Sequence, residues 1–598
     1  MKKKLLPFTF LLLFSAGLVA QWTNNPQVNM VICDITGHQV CSKLALNNQT
    51  GTGFISWFSH TGNDQYDVYM NTLNKDGILL WGDEGLMISD NPTMTWVTFY
   101  GLIIDDDNCA VLTNQDIRTG SSNAYAYRIS PDGDFLWGEQ GLQLTDNTNL
   151  NLCLSAVQDP NGDYLIGWTE DSTVITPQDT TYYSDIRFQK VKKDMSFPWG
   201  DPKVLKNDSI NYSKVMFNFV TKPDNGFYLV FMGFYKPNGG LGNGWSNLYV
   251  QNFDQNGEAL WDHPVALEPD EYLGAAFFIY GDSYYQKNGG IIIVWQSADG
   301  LNAEVKMQHL DQYGTKQCGD WGVAVSNSPD HSRANFESAY DTANDLTYVF
   351  WEDKYYSWEQ ENYYSGIAAQ KLSSDGTRQW SDTGLLITPY VFDTVHAVWG
   401  VSSHPDGGAL ALNTEDYYSI TGTDTLTMSI ISSCRLNPDG EFVWNKEHII
   451  VCDAISPKSY YTLSDYTNGE WIATWSDGRK DPTVQLTVSG IYAQNIKEDG
   501  TLGPLFISNP GAINHNELNV YPNPFSSETT ITFTLKTANN VSCKLYNNSG
   551  SLVKTISPEL FRKGTNTIEL NSVGLSSGVY HIVLQTGNSV ITKKVIVY

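Results

Sequence analysis

A thirteen-residue motif that recurs eight times is the feature that most constrains how this chain folds. In most copies a run of alternating residues leads into an Asp-Gly or Asn-Gly turn, and a Trp follows four residues after the Gly. Alternation that runs into such a turn is the strongest short-range signal of a β-hairpin. The copies occupy residues 69–81, 125–137, 187–199, 249–261, 306–318, 368–380, 432–444 and 492–504.

Two further strand-like runs precede each hairpin, as in GFISWF at 53–58 and GGIIIVW at 289–295. The repeat is therefore a four-stranded unit of 56–64 residues, and such units arranged around an axis form a β-propeller. We expect the recurring Trp to wedge between neighbouring blades, and the copies with Cys318 and Pro504 in its place to be less regular. The prediction is an all-β, eight-bladed propeller. Seven blades stay an alternative, because residues 39–58 give the weakest first two strands.

The Gly-x-x-x-Trp spacing resembles the tryptophan-docking repeat of quinoprotein-type eight-bladed propellers. The turn is also similar to the Asp box of sialidases, with Ser130, Asp132, Gly133 and Trp137 as the best copy. Both motifs are structural in their own families. The resemblance therefore implies the fold, and it implies no cofactor and no catalytic residue.

The first twenty residues predict a secretory signal peptide, with a basic start at Lys2, Lys3 and Lys4 followed by an apolar run. No later run approaches the roughly 20 apolar residues of a membrane span, so no transmembrane segment is expected. The net charge of -29 argues against nucleic acid and anionic lipid as partners. The eight cysteines are either small buried hydrophobes or disulfide partners. Cys33 and Cys41 are the closest pair, and the connectivity stays open.

After residue 509 the repeat stops, and residues 518–598 show the short alternating strands of a small Ig-like β-sandwich. Four segments in this region, YPNPF at 521–525, LYNNSGSLVKT at 545–555, LSSGVYHIVL at 575–584 and KKVIVY at 593–598, resemble the type A sorting domain of Bacteroidetes type IX secretion. The motif residues are Tyr521, Pro522, Asn523, Pro524, Gly578, Tyr580, Lys593 and Lys594.

This resemblance implies an outer-membrane translocon and a surface sortase-like protease as partners. It also implies a protein that is secreted or attached to the outer cell surface, and whether the mature protein is anchored or released stays open. The predicted organisation is a signal peptide (1–20), a propeller (21–509), a linker (510–517) and a sorting domain (518–598).

The segments between the predicted second and third strands are long and rich in aromatic residues, most of all at 352–366. Exposed rings suit stacking on sugars or contact with a protein, although they also suit packing a loop against its neighbour. We therefore expect a binding or adhesion propeller whose ligand is a glycan or a protein. The candidate binding residues are Trp351, Tyr355, Tyr356, Trp358, Tyr363 and Tyr364.

The alternative is a polysaccharide-acting glycoside hydrolase or lyase that uses Glu170, Asp353 and Asp477, which recur after the predicted second strands. Glycoside hydrolysis needs two carboxyl groups about 5 to 10 Å apart, whereas acids after a strand more often satisfy turn amides. No motif of a known catalytic class occurs, so binding is expected rather than catalysis. Asp105, Asp106 and Asp107 offer oxygen ligands for calcium, although a solvated turn fits them better.

Overall fold

The computed structural model describes most of the chain between Trp22 and Tyr598. No helix long and apolar enough to cross a membrane occurs in that part. The predicted signal peptide and linker both lie outside the described residues. The ranges described are 22–60, 65–93, 100–175, 180–205, 212–235, 245–269, 281–299, 302–392, 394–421, 424–483, 488–503, 518–535, 539–547, 552–586 and 589–598.

The chain divides into two compact units, Met1–Gly503 and Pro504–Tyr598. The described part of the first unit is all-β, as predicted, and forms eight antiparallel sheets. We number them in chain order. Sheet 1 contains β2 His38–Leu46, β3 Gly53–His60, β4 Tyr66–Leu73 and β5 Leu86–Ser89, and sheet 2 contains β6 Gly101–Ile104, β7 Ala110–Asp116, β8 Asn123–Ile129 and β9 Leu142–Gln143. Sheet 3 contains β10 Leu150–Gln158, β11 Tyr164–Ile175, β12 Thr180–Val191 and β13 Lys203–Leu205, and sheet 4 contains β14 Tyr212–Thr221, β15 Phe227–Tyr235, β16 Trp245–Phe253 and β17 Val265–Ala266.

The remaining sheets follow the same order, except that sheet 6 has a fifth strand and sheet 8 takes one strand from near Trp22. Sheet 5 contains β18 Gly281–Gln286, β19 Gly290–Asp299, β20 Asn302–Asp311 and β21 Val323–Ala324, and sheet 6 contains β22 His331–Asp341, β23 Leu346–Ser357, β24 Asn362–Ser373, β25 Leu385–Leu386 and β26 Val391–Phe392. Sheet 7 contains β27 Val395–Ser403, β28 Ala409–Thr421, β29 Asp424–Leu436 and β30 Ile449–Ser456, and sheet 8 contains β31 Lys458–Leu463, β32 Glu470–Asp477, β33 Gly490–Lys497 and β1 Met30–Cys33.

The first strands of successive sheets contact one another in a closed ring, from β2 through β6, β10, β14, β18, β22 and β27 to β31, which contacts β2. This is the arrangement of a β-propeller. Because strands alternate in direction, the hairpins that join second to third strands lie at one end of the ring, here called the hairpin end. The Asp-Gly-type turns lie at the opposite end, here called the turn end.

Each motif Trp packs against the turn of the next sheet, as the repeat predicts. Its indole N–H donates to a backbone carbonyl of that turn over 3.0–3.3 Å, and Cys318 reaches the equivalent carbonyl of Ser374 over 3.8 Å. The donor and acceptor pairs are Trp81 and Pro131, Trp137 and Lys193, Trp199 and Gln255, Trp261 and Gln312, Trp380 and Pro438, and Trp444 and Glu498.

The eighth copy has Pro504 in the Trp position, and Trp22 takes the place of the missing ring. Trp22 is buried and covers Gly77, where an added Cβ would lie 2.6 Å from the indole nitrogen. In sheet 6 the side-chain amide of Gln370, on the third strand, donates to Ser381, the residue after Trp380, at 2.7 Å. Gln494 donates in the same way at 2.8 Å to Thr23, the residue after Trp22. Residues from near the start of the chain therefore complete the last sheet.

The sequence placed the fourth strand too early. After six of the third strands the turn is closed by a single bridge, such as Leu73 to Leu79. The fourth strand begins only beyond the Trp, as β5 does at Leu86. The Trp packs against the next sheet and not along its own, so the hydrogen-bond ladder between the third and fourth strands is interrupted there.

All eight cysteines are free thiols. Cys33 lies in β1 of sheet 8 and Cys41 in β2 of sheet 1, and both side chains are buried. Cys33 and Cys41, whose connectivity the sequence left open, lie in different sheets and form no bridge with each other. Most of the cysteines act as small apolar core residues.

The second unit consists of two antiparallel sheets whose facing sides share one core, the arrangement of a β-sandwich. Alternation along β35 shows the principle, because Ile531, Phe533 and Leu535 point inward. The first sheet contains β34 Asn519–Tyr521, β35 Glu528–Leu535 and β38 Gly564–Asn571, and the second contains β37 Leu552–Phe561, β36 Asn539–Asn547, β39 Gly578–Thr586 and β40 Ser589–Val597.

Candidate ligand-binding site

The aromatic segment at 352–366 is a projecting β-hairpin. Strand β23 continues to Ser357 and β24 starts at Asn362, so the prediction of a long loop is wrong there. Tyr is a strong strand former, and the hairpin gains an extra partner because β26 pairs with β24. Only residues 358–361 form the connection, and the aromatic side chains stand on ordered strands at the hairpin end.

Strand alternation splits the six candidate rings between the two faces of sheet 6. Tyr355 pairs with Tyr364 on the face toward sheet 5, whereas Tyr356 pairs with Tyr363 on the face toward sheet 7. Trp351 is 0% exposed within the core, so its proposed role in binding is wrong. Sequence position alone had grouped rings that point in opposite directions.

On the face toward sheet 5 a row of aromatic rings crosses four strands. His331, Tyr355, Tyr364 and Phe392 are successive register partners on β22, β23, β24 and β26. The His331 and Tyr355 rings stack at 5.2 Å, and the Tyr355 and Tyr364 rings stack at 5.5 Å. The row leads from half-exposed Phe392 at the outside toward the propeller axis.

Asp353 joins this row to the core. Its carboxylate contacts His331 Nδ1 at 2.5 Å and accepts hydrogen bonds from the Tyr390 hydroxyl at 2.7 Å and the Trp351 indole at 3.0 Å. Burial, followed by the bond to Asp353, raises the pKa of Tyr390 above its ordinary value. Tyr390 passes close over Gly366, whose added Cβ would lie 3.2 Å from that ring. Asp353 thus holds the side chains of His331, Tyr390 and Trp351 in place.

On the face toward sheet 7 the aromatic rings are more open. Trp358 is 85% exposed and Tyr363 is 61% exposed, and both rest edge-on against Tyr356 at 4.9 Å. We call these three residues the aromatic patch. Mutual contact restricts the rings, so little side-chain freedom is lost when they bind a partner.

The other two candidate catalytic acids are buried and already paired. Glu170 in sheet 3 contacts Arg187 at 2.9 Å and Asn147 at 3.0 Å. Asp477 in sheet 8 accepts from the Trp475 indole at 2.9 Å and pairs with Arg479 at 2.6 Å.

Burial alone would raise the pKa of Asp477, but Lys458 and Arg479 hold it below its ordinary value. Glu170, Asp353 and Asp477 belong to three non-adjacent sheets, each with its own set of partners.

Asp105, Asp106 and Asp107 form the predicted turn between the first and second strands of sheet 2. Asp105 pairs with Arg128 at 2.7 Å, and Lys193 pairs with Asp106 at 2.5 Å and Asp107 at 2.7 Å. These two cations offset part of the negative charge of the three carboxylates, and a calcium ion would have to compete with them. Calcium binding at this turn stays a prediction.

Sequence reasoning missed the polar residues of sheets 6 and 7 that surround the aromatic rings. His331, Tyr390 and His396 come from first strands and from the connection between blades, which lack the repeating motif. Only the register brings them beside the hairpin. His331 is the first residue of β22 and His396 the second of β27, positions that the repeating motif does not mark.

The first and last sorting-motif segments lie together in the second unit, although Asn523 and Lys594 are 71 residues apart in sequence. Asn523 donates from Nδ2 to the Lys594 carbonyl at 2.9 Å and accepts at Oδ1 from the Ile596 amide at 2.9 Å. Gly578 and Tyr580 on β39 pair with Val597 and Val595 of β40. Tyr521 is exposed, as are Lys593 and Lys594. Pro522 and Pro524 flank Asn523.

Comparison with known proteins gives one family match, and no curated protein matches the sequence. Similar solved structures include an ulvan lyase from a family of polysaccharide lyases, with a TM-score of 0.40, 11% identity, and coverage of 70% of this chain and 97% of that chain. An endo-arabinase from Bacteroides thetaiotaomicron gives a TM-score of 0.26, 14% identity, and coverage of 46% and 95%. Such scores carry no argument about the ligand.

The family match is to the secretion system C-terminal sorting domain, and it covers residues 519–598. It agrees with the β-sandwich of the second unit and with the motif residues gathered there. A domain of this family implies interaction with the type IX secretion machinery. The chain therefore carries a type IX sorting domain and is secreted or attached to the cell surface.

Proposed function

We propose that this exported propeller is a binding protein that recognises a glycan through the hairpin of sheet 6. The observation that carries the proposal is the aromatic patch, in which Trp358 is 85% exposed and Tyr363 is 61% exposed on an ordered hairpin. Large rings left in water at a projecting site are costly unless a partner covers them. Flat rings beside polar groups suit the apolar faces and hydroxyls of a sugar chain.

We favour binding over catalysis because the three acids suggested as catalysts are buried and already bonded to neighbouring residues. Glu170, Asp353 and Asp477 are each at most 5% exposed and already bonded. A catalytic pair needs two carboxyl groups on one bound sugar, about 5 to 10 Å apart. Acids in three non-adjacent sheets with separate partners support structural roles instead.

A glycan array probed with the purified protein tests this function directly, and Trp358→Ala and Tyr363→Ala are the informative variants. We expect each variant to lose at least about tenfold in affinity, the equivalent of ~1.4 kcal/mol. Tyr313→Ala is the matched control, because this ring is 77% exposed but lies at the turn end.

Binding that survives both patch substitutions would show that the patch is not the site. A protein that binds no glycan on the array would overturn the proposal and leave protein contact as the remaining role. Sugar release that persists in Glu170→Gln, Asp353→Asn and Asp477→Asn would exclude those acids as catalysts.

We also propose that a surface sortase-like protease removes the sorting domain after export. Mass spectrometry of the protein recovered from the cell surface or the medium tests this step. A mature chain that ends before residue 518 is the expected result, and an intact Tyr598 terminus would contradict it.

A further inference from the structure

A groove of about 750 Å³ opens at the turn end, between sheets 4 and 5. Asp224, in the turn after β14, lies on the side of sheet 4, and Tyr285 of β18 lies on the side of sheet 5. Trp261 and Asp262, which follow the motif turn of sheet 4, add to the lining. The groove has the volume of a ligand site, and it lies at the opposite end of the ring from the aromatic patch.

Aromatic rings form the inner surface of this groove. Tyr228 lies deepest, is 1% exposed, and has its ring 5.8 Å from that of half-buried Trp261. The Tyr228 hydroxyl makes no hydrogen bond to any residue that the structure describes, although the side chain lines the groove. Burial raises the pKa of Tyr228, and half-buried Tyr285 and Asp224 raise it further. The hydroxyl is therefore neutral and has a free oxygen for a donor in the groove.

The chain places one cation of its own against this aromatic surface. Lys222 is 6% exposed, and its Nζ lies 5.5 Å from the centre of the Tyr228 ring. The ammonium donates to Asn252 Oδ1 at 2.9 Å and pairs with Asp224 at 3.5 Å. Burial lowers the pKa of Lys222, and Asp224 acts in the opposite sense. An ammonium is held here because a ring face and oxygen atoms surround it, which shows the kind of group that the surface suits.

The acids around the groove outnumber this one cation. Asp224 and Asp262 line the groove and are exposed, the Asp224 side chain by 70%. Asp254 and Asp311, in the motif turns of sheets 4 and 5, lie close enough to interact with the two floor residues, Lys222 and Tyr228. Four carboxylates thus accompany one ammonium, in a chain whose net charge is -29. The excess negative charge attracts cations to the groove and repels anions.

We propose that this groove binds the Lys or Arg side chain of a basic peptide segment in a partner protein. The cation would lie against the rings of Tyr285 and Trp261, and Asp224 and Asp262 would pair with it at the rim. An N–H of the bound group would donate to the Tyr228 hydroxyl, which has no other partner among the described residues. The site lies at the other end of the propeller from the proposed glycan site and does not depend on it.

Saturation-transfer difference NMR on the full-length protein tests the groove, because this method detects weak binding of a small probe. Capped tripeptides with a central Lys or Arg between two glycines are the cationic probes, and those with a central norleucine or Glu are the neutral and anionic counterparts. We expect a signal from at least one cationic probe and none from the other two. Asp224→Asn and Asp262→Asn should each weaken binding by about threefold or more, because each removes a carboxylate partner of the cation.

Asp132→Asn is the matched control, because it removes the same charge from an exposed acid in the motif turn of sheet 2. Thermal melts show whether each variant is folded. Binding that is unchanged in both folded groove variants, or that weakens equally in Asp132→Asn, would overturn the site and point to general attraction by the acidic surface. An equal signal from the norleucine probe would overturn the cationic class, and no signal from either cationic probe would overturn the proposal.

Discussion

Glu470 is a single carboxyl group that ties the stability of the propeller to pH. It lies at the start of β32, is 2% exposed, and accepts one hydrogen bond from Asn495 Nδ2 at 2.5 Å. Burial raises its pKa from 4.5 to about 7, and the bond from Asn495 offsets only part of that rise. A charge is therefore held at this position only at a cost in free energy.

Between about pH 4.5 and 7 the folded state keeps a proton on Glu470 that the unfolded chain has lost. The contribution of Glu470 to the free energy of unfolding should therefore fall by roughly 3 kcal/mol as pH rises through this window, and stay level above it. Glu470→Gln should remove that slope and be more stable than the natural protein at pH 8. Denaturant titrations at several pH values measure the difference.

Exposed Glu447→Gln serves as the control and should leave the pH dependence unchanged. Equal slopes in the natural protein and Glu470→Gln would show that the carboxyl group is not the source of the effect.

Residue roles were predictable where the repeat marks them and not elsewhere. The motif Trp recurs, so its structural role could be predicted from the sequence. Asp353 recurs as well, but the sequence does not show that half-buried His331 and the rings of Tyr390 and Trp351 surround it. Glu352 and His396 come together only through the register of two sheets, which the sequence does not specify.

At the scale of elements, Trp22 replaces the Trp that the eighth copy lacks, and its truncation is a quantitative test of the repeat. Truncation of a buried Trp costs about 3–5 kcal/mol, so Trp22→Ala should lower the free energy of unfolding by that amount. Exposed Trp358→Ala should change it by no more than about 0.5 kcal/mol. Chemical denaturation of both variants gives the comparison. Equal stability of the two would contradict the docking of Trp22 on Gly77.

Element types were easier to predict from this sequence than their ends. Second and third strands carry alternation and were found, but the strands of sheet 6 extend to Ser357 and from Asn362 through residues that were read as a loop. The two-residue fourth strands, such as Leu385–Leu386, are too short to leave a pattern. β1 was missed because it pairs with β33, more than 450 residues away in sequence.

At the scale of the whole molecule, the sorting domain is a separable unit with its own core. A chain that ends at Asn509 keeps every described strand of the propeller and loses the matched family domain. We expect this shortened protein to stay in the periplasm of a bacterium with type IX secretion, while the full-length protein reaches the surface or the medium. Fractionation followed by immunoblotting checks the outcome, and secretion of the shortened chain would contradict it.

The pairing of β1 with β33 also sets the order of events when the chain folds. Sheet 8 has three strands until residues 30–33 add the fourth, so the edge of β33 stays unpaired until both distant segments are present. Contacts between segments so far apart in sequence form slowly, because the loop entropy is lost before the contacts form. We therefore expect the pairing of β1 with β33 to form late in folding. Until then the polypeptide exposes an unpaired strand edge, which is open to mispairing and to proteases.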